Sequence, residues 1–310
     1  MRPNRWLLIG LALAMLGATP IPPAQSIPAR VVGTLSMPAG QTPMHMPTAV
    51  ALDSRGHIFV ADGANDRIVR FSNAGEPPVI LRPDLKQPTG LFVDSKDRLW
   101  IADSGHHRVL RVDGDGRVED ALELPADHDR PAKPTDLLLL PDDSRLYVVD
   151  NDNHRLLIRD QRTSQWTIVG SAGASLGQFQ YPFMIARGLE DDILITEAIG
   201  ARAQILSRND RWVSPISEFG IELGQLYRPK GVAVDSSGRV FISDSSLRVE
   251  QVFSPQGAFI GILTGEDHHP LRFEHPMGLR FDAAGRLYVV ELKADRVAVV
   301  ELSGNRGGAP

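Results

Sequence analysis

Histidines, and a recurring pair of one acid and one arginine, are the residues of this 310-residue chain whose chemistry suggests a site. Neutral imidazole is the commonest metal ligand, and histidine also transfers protons near neutral pH. His45 and His275 stand just before two prolines that open structural repeats. A divalent ion held there would polarise a carbonyl or activate water for hydrolysis or elimination.

The acid and the arginine recur together six times along the chain. The acids are Asp62, Asp103, Asp150, Glu197, Asp244 and Glu291, and the arginines are Arg67, Arg108, Arg155, Arg202, Arg248 and Arg296. Five arginines stand at the same distance after their acid, and Arg248 comes one residue early. Catalysis needs asymmetry, whereas a feature present in every copy is architectural. We therefore predict that these pairs hold the shape of a repeated loop.

Each pair lies inside a longer repeat that opens with a proline, and residues 87–116, QPTGLFVDSKDRLWIADSGHHRVLRVDGDG, show the whole unit. Its apolar runs are short, rich in Val, Leu and Ile, and bounded by Asp, Ser, Gly and His. Such runs predict short strands joined by tight turns, and their recurrence indicates a repeated supersecondary unit. The opening prolines are Pro47, Pro88, Pro134, Pro182, Pro229 and Pro276.

This unit resembles the NHL repeat, whose pattern is Pro-x-Gly, an apolar run to Asp, two apolar residues with Ala-Asp, and then Asn-x-Arg. Repeat 1, PTAVALDSRGHIFVADGANDRIVRF, matches closely, whereas repeat 4, PFMIARGLEDDILITEAIGARAQIL, has lost the glycine and both aspartates. The resemblance covers residues 28–303. It implies an all-β fold, a six-bladed β-propeller of four-stranded antiparallel blades. For function it is weak, because such propellers host binding modules and enzymes alike.

The two ends of the repeat region complement each other. RVVGTL, residues 30–35, reads as a strand before the first complete repeat, and the last repeat ends after three strands. We predict that this N-terminal strand completes the last blade. The closure would remove an open sheet edge.

The first 24 residues read as a secretory signal peptide. Arg2 and Arg5 precede an apolar run of residues 6–16, which is shorter than the roughly 20 residues of a spanning helix. We predict cleavage after Ala18 or Ala24 and a periplasmic or secreted protein, with an uncleaved anchor as the alternative. The chain has no cysteine, which excludes disulfides and a lipid-modified cysteine.

The remaining boundaries follow from the repeats. We assign residues 25–304 to the propeller and residues 305–310 to a disordered tail. The net charge of −5 comes from 33 basic and 38 acidic residues, which argues against a nucleic-acid partner. We expect a monomer with no stable membrane insertion after signal cleavage.

In a four-stranded meander, the loops between strands two and three share a side with the blade-to-blade loops. Eight of the nine histidines fall in these loops and only His57 does not. We call this side the histidine-rich face and expect it to be the contact surface. Its histidines are His45, His106, His107, His128, His154, His268, His269 and His275.

The residues directly after the opening prolines should line the mouth of the central channel on this face. They are Thr48, Thr89, Thr135, Phe183, Lys230 and Met277. Hydroxyls on one half and apolar or cationic side chains on the other would suit a small or peptide-like ligand. A solvated rim without function is the alternative. We include Thr48, Thr89, Thr135 and Lys230 with the histidines as ligand-binding candidates.

Two enzyme classes of this shape offer a comparison. Amidating lyases resemble the pattern but carry zinc-binding histidines directly after blade-opening prolines, where this chain has none. Lactonases of the gluconolactonase type use Glu, Asn and Asp around a divalent ion, roles open here to Glu197, Asn153 and Asp136 without a motif that assigns them. We expect a cofactor-free binding platform for a protein, peptide or glycan rather than an enzyme. The alternative is a lactonase-like hydrolase or a lyase with one divalent ion at the channel mouth.

Overall fold

A computed structural model describes residues 20–72 and 75–303, which form short strands and three short 3-10 helices. Strand β1 (Ser26–Leu35) precedes the repeats. Repeat 1 contains β2 (Pro47–Leu52), β3 (His57–Asp62), β4 (Arg67–Ser72) and β5 (Val79–Leu81), and repeat 2 contains β6 (Pro88–Val93), β7 (Leu99–Asp103), β8 (Arg108–Val112) and β9 (Val118–Glu123). Repeat 3 contains β10 (Pro134–Leu139), β11 (Arg145–Asp150), β12 (Arg155–Asp160) and β13 (Trp166–Val169), and repeat 4 contains β14 (Pro182–Arg187), β15 (Ile193–Glu197) and β16 (Arg202–Leu206). Repeat 5 contains β17 (Pro229–Val234), β18 (Val240–Asp244), β19 (Val249–Phe253) and β20 (Phe259–Thr264), and repeat 6 contains β21 (Pro276–Phe281), β22 (Leu287–Glu291) and β23 (Arg296–Leu302).

The local sequence explains where these strands begin and end. Every first strand starts at the opening proline, which lacks an N–H and therefore suits the first position of a strand. Every second strand ends at the repeated acid. In repeat 1 the turn between the first two strands closes on Asp53, whose Oδ1 accepts the N–H groups of Arg55 and His57. Such Asp-centred turns favour a tight reversal between strands.

The strands assemble into five sheets. Three sheets have four strands each, β2–β5, β6–β9 and β10–β13; one has three, β14–β16; and one has eight, in the order β17-β18-β19-β20-β1-β23-β22-β21. The prediction of a six-bladed propeller built from six four-stranded antiparallel blades is therefore wrong. Repeat 4 lacks a regular fourth strand, and its outer edge makes only isolated bridges to Ile216 and Trp212.

Strand β1 is the physical reason why the last two repeats share one sheet. Ala29 to Leu35 pair antiparallel with β23, while Ser26 to Pro28 pair parallel with β20. A bulge between Val31 and Gly33 shifts the register. The N-terminal strand thus does not complete the last blade alone, because it also joins repeat 6 to repeat 5.

The first strands of the repeats surround a central channel. The contacts run in sequence from β2 to β6, β10, β14, β17 and β21, and β21 lies against β2. The largest apolar cluster contains first-strand side chains from several repeats, among them Ala49, Leu91, Met184 and Val232. Side chains on the first strands therefore lie closest to the molecular axis, where a ligand would meet several repeats at once.

The described chain begins before the propeller boundary placed at residue 25. Ile21 is buried, its N–H donates to the His268 carbonyl oxygen at 2.8 Å, and the 3-10 helix Pro23–Gln25 contacts β20. Cleavage after Ala18 would retain these contacts and cleavage after Ala24 would remove Ile21. The signal peptide up to residue 19 and the tail at residues 305–310 lie outside the described residues. In the described part of the chain, no helix has the length and apolar character needed to cross a membrane.

Candidate functional site

The repeated acids are buried and connect two loops of the histidine-rich face. One is the loop between strands two and three, and the other is the linker, the segment that leads from one repeat to the opening proline of the next. In five repeats the carboxylate pairs with the arginine Nε, at 2.6 Å for Asp62–Arg67, 2.8 Å for Asp103–Arg108, 2.8 Å for Asp150–Arg155, 2.6 Å for Glu197–Arg202 and 2.5 Å for Glu291–Arg296. In all six repeats the same carboxylate accepts the backbone N–H of the residue 17 positions earlier, in the preceding linker. These groups are thereby occupied in holding loop to linker.

Repeat 5 departs from this pattern for a visible reason. Val249 occupies the arginine position, while Arg248 takes the left-handed position before it, with φ 63°. Its guanidinium pairs with Glu274 in the next linker. The one-residue offset of Arg248 in the sequence therefore corresponds to a different ion-pair partner, Glu274 in place of Asp244. The carboxylate of Asp244 accepts backbone N–H groups instead, including those of Tyr227 and Leu247.

The histidines of the face do not converge on one point, and most of them hold local structure. His106 Nδ1 lies 2.9 Å from Asp103, and His107 Nδ1 lies 2.8 Å from the Ala132 carbonyl oxygen. The His154 Nδ1 accepts the Tyr181 N–H at 3.0 Å, and the His268 Nδ1 lies 2.9 Å from Ser26 Oγ. The His45 Nδ1 lies 3.8 Å from Asp295, the backbone N–H of His269 donates to Asp267, and His128 is exposed. Across residues 20–72 and 75–303, no three His, Asp or Glu side chains are grouped as metal ligands.

His275 differs from the other histidines because its Nδ1 is buried without a hydrogen-bond partner. Burial lowers its pKa, and the nearby cations Lys293 and Arg248 lower it further. The ring therefore favours the neutral form, which is the form that accepts a hydrogen bond.

The three threonines after the prolines join neighbouring repeats. Their hydroxyls donate to backbone carbonyl oxygens of the next repeat, Thr48 to Pro88 at 3.4 Å, Thr89 to Pro134 at 3.0 Å and Thr135 to Phe183 at 2.7 Å. Thr196 and Ser243 do the same from second strands, toward Lys230 and Met277. The hydroxyl-lined half of the mouth is thus already used for inter-repeat hydrogen bonds.

Lys230 is a predicted contact residue whose ammonium packs against an aromatic ring. Its Nζ lies 3.9 Å from the centroid of the Phe183 ring, a cation–π contact. It forms no ion pair with any residue that the structure describes. Burial, together with the nearby Arg228, lowers its pKa to about 8. A half-buried ammonium facing an aromatic ring is a candidate receptor for an anionic group.

An exposed aromatic patch lies in loops of the histidine-rich face, and one of its members, Tyr227, stands three residues before Lys230 in the chain. We define the aromatic patch as Tyr181, Ile199, Phe219 and Tyr227. Tyr181, Ile199 and Phe219 are 44%, 48% and 57% exposed. The rings of Phe219 and Tyr227 are 5.5 Å apart.

Arg228 connects the Tyr227 ring of this patch with the loop that carries Ile199. Its guanidinium lies 5.6 Å from the Tyr227 ring and donates to the Ala198 carbonyl oxygen at 3.3 Å. The neighbouring Ile199 donates its N–H to Gln180, next to Tyr181 in the chain, at 3.3 Å. Loops that are distant in sequence therefore build one continuous surface on the histidine-rich face.

The other end of the channel holds a cavity of about 310 Å³. It is lined by first-strand residues of five repeats, including Phe92, Leu138, Ala186, Ala233 and Arg280. Arg280 has its guanidinium 5.6 Å from the Phe92 ring and 3.5 Å from the Leu91 carbonyl oxygen. It forms no ion pair within the described residues. Sequence reasoning missed this residue, although it is the one charged side chain at the fourth position after an opening proline.

Asp136 faces Arg280 from the opposite side of the channel. It stands two residues after its opening proline, where repeats 2, 5 and 6 have glycine. Neighbouring repeats approach each other closely at this position, because a Cβ at Gly90 would lie 2.5 Å from the Asp136 Cα. Its Oδ2 accepts the Ile185 N–H at 3.0 Å. Burial raises the pKa of Asp136 to about 7, although that hydrogen bond and Arg280 favour the ionised form. No contact in the structure joins Asp136 to Glu197 or Asn153, so the three roles of a lactonase site remain unassigned.

Comparison with known proteins agrees with the repeat pattern. Residues 85–111 match the NHL repeat family. The chain is 30% identical over 138 residues to Protein brain tumor of Drosophila melanogaster, a match that covers 44% of this chain and 13% of the fly protein. The chain therefore spans only a small part of that relative's length.

Solved structures extend the likeness to nearly the whole chain. A gluconolactonase from Xanthomonas campestris has a TM-score of 0.65 at 16% identity, covering 92% of this chain and 100% of that one. The virginiamycin B lyase from Staphylococcus aureus has a TM-score of 0.63 at 15% identity, covering 90% and 94%. Identities this low show the fold alone. Together these findings show an NHL repeat at residues 85–111 and an all-β, propeller-like fold.

Proposed function

We propose that this protein is an exported binding platform that holds an extended, acidic peptide segment of a partner protein on the histidine-rich face. The observation that carries the proposal is the exposed aromatic patch, since Arg228 lies over its Tyr227 ring and is close enough to Lys230 to lower the pKa of that ammonium. Tyrosine, phenylalanine and arginine supply much of the affinity in protein interfaces. Large apolar groups clustered at a surface mark such interfaces more often than isolated ones do.

Charge selects the kind of peptide. Arg228 and Lys230 present positive charge, and neither forms an ion pair with a described carboxylate. A side-chain or C-terminal carboxylate of the ligand would neutralise Lys230 while apolar side chains cover Phe219 and Tyr227. Because the pKa of Lys230 is lowered to about 8, this attraction is present at neutral pH and declines as the pH rises through that value.

Location and assembly form part of the proposal. Export rests on residues 1–24, and an exported protein whose intact mass retained Arg2 and Arg5 would contradict it. We propose a monomer that uses neither nucleic acid nor a membrane as its partner.

The metal-dependent hydrolase or lyase alternative receives no support from a ligand cluster in the described residues, and we do not adopt it.

The proposal is tested with a phage-displayed library of random peptides panned against the purified mature protein. We expect enrichment of peptides that carry acidic and aromatic or aliphatic residues, and at least tenfold weaker binding of a selected peptide by the variant Phe219→Ala. Val118→Ala is the matched control, because Val118 is 51% exposed on the outer strand β9. Equal losses in both variants would refute the assignment of this face. So would enrichment of no peptide at all, or binding to a glycan array in its place.

A further inference from the structure

The cavity at the channel end opposite the histidine-rich face has the composition of a small-molecule site. Its volume of about 310 Å³ is within the range of ligand pockets. Phe92, Leu138, Ala186 and Phe281 form apolar walls, and Arg280 supplies a charged group. Small-molecule pockets combine mostly apolar linings with a few polar groups in this way.

The charges around the cavity leave one cation without a close partner. Asp94 at the rim is held by Arg98 at 2.7 Å, and its Oδ2 also accepts the Trp100 Nε1–H. Arg187 at the rim pairs with Asp191 at 2.9 Å. Arg280 interacts with Asp136 only through space, without a hydrogen bond. A guanidinium offers five donors, and that of Arg280 has a single long contact to a backbone carbonyl oxygen, so several donors remain available to a ligand.

We propose that this cavity binds a small carboxylate with an apolar or aromatic body. The guanidinium of Arg280 receives the carboxylate, and the walls formed by Phe92 and Phe281 receive the body. Arg–carboxylate pairs are frequently bidentate, and this geometry gives both affinity and orientation. The site lies at the opposite end of the channel from the aromatic patch and stands independently of the peptide-binding proposal.

Asp136 would make this binding depend on pH. An ionised Asp136 repels a carboxylate ligand and offsets part of the positive electrostatic potential of Arg280, whereas a protonated Asp136 does neither. With a pKa of about 7, the protonated fraction falls about tenfold between pH 6 and pH 8. We therefore expect the affinity to be up to about tenfold higher at pH 6. The variant Asp136→Asn should remove most of this dependence.

Benzoate is the probe, and the neutral isostere benzamide is its partner control. Isothermal titration of the full mature protein should detect benzoate and give at least tenfold weaker binding for benzamide. Arg280→Met should weaken benzoate binding at least tenfold, whereas Arg280→Lys should retain part of it. Arg239→Met is the matched variant, because Arg239 also lies over a phenylalanine ring, at 5.5 Å, but already pairs with Asp235 at 2.7 Å. It should bind benzoate as the wild type does.

Three results would overturn the proposal. One is equal binding of benzoate and benzamide, and another is wild-type affinity in a folded Arg280→Met variant. The third uses the wild-type protein and needs no variant to fold. Benzoate should shift the NMR resonances of the Phe92 and Phe281 rings, and shifts confined to Phe219 and Tyr227 would place the ligand at the other face.

Discussion

At the scale of single residues, Glu250 conflicts with the repeat that contains it. It occupies a fully buried position of the third strand, where the other repeats have Ile68, Val109, Leu156, Ala203 and Val297. Burial raises its pKa well above the usual value, and the carboxylates of Asp244 and Glu291 raise it further. The side chain therefore favours its protonated form in the folded protein.

This acid should make stability depend on pH. Because the folded-state pKa lies above that of the unfolded chain, its contribution to stability is full at low pH and is lost as the pH rises through the folded-state value. The variant Glu250→Gln should remove that loss, so its free energy of unfolding should fall less steeply between pH 5 and pH 9. One group changes this slope by at most about 1.4 kcal/mol per pH unit.

Urea titrations across that pH range measure the slope. The control is Glu76→Gln, since Glu76 is exposed. It should keep the wild-type slope, and parallel curves for wild type and Glu250→Gln would show that the buried acid does not titrate as expected.

At the scale of elements, β1 is the segment whose pairing decides how the chain ends meet. It forms hydrogen-bonded ladders with both β20 and β23, and Ala29 within it is only 2% exposed. Two sheets would otherwise present open edges, which favour pairing with other chains. Removing residues 30–35 should therefore destabilise the molecule beyond the strand itself.

Ala29→Asp tests the element without deleting it. A carboxylate placed against Leu302 should cost about 2 kcal/mol or more, because the side chains of that buried cluster are apolar. Arg30→Ala, one residue away, removes an exposed ion pair with Glu301 and should change stability by less than about 1 kcal/mol. Chemical denaturation compares the two variants. Similar small effects would show that β1 is dispensable.

At the scale of the whole molecule, the ring of first strands should make unfolding cooperative. Each first strand contacts the next, and β21 returns to β2. The tryptophans of the described chain, Trp100, Trp166 and Trp212, lie in repeats 2 to 4, away from β1 and its partner strands. Their fluorescence therefore reports on a part of the ring distant from β1.

We expect one thermal transition, seen at the same temperature by tryptophan fluorescence and by circular dichroism. Ala29→Asp should lower both midpoints equally, because a closed ring opened at one point loses contacts on both sides. A fluorescence midpoint that stayed at the wild-type value would show that repeats 2 to 4 unfold as a separate unit.

Much of the architecture follows from short-range pattern. The prolines, turn aspartates and apolar runs specify where strands start and stop, because these preferences act over a few residues. The same repeats indicate which loops share a face, and the linker-to-loop hydrogen bonds agree with that grouping in every repeat. Lys230 could be chosen from its place after a proline.

The remaining features depend on packing between distant segments. Pairing of β1 with both β20 and β23 decides the sheet count, and no local signal distinguishes one partner from two. The meeting of Asp136 with Arg280, and of Tyr181 with Arg228 through the loop around Ile199, arises from the closing of the ring. Repeat position orders side chains along one strand, whereas burial, pKa and the shape of a cavity are set by neighbours that only the assembled fold brings together.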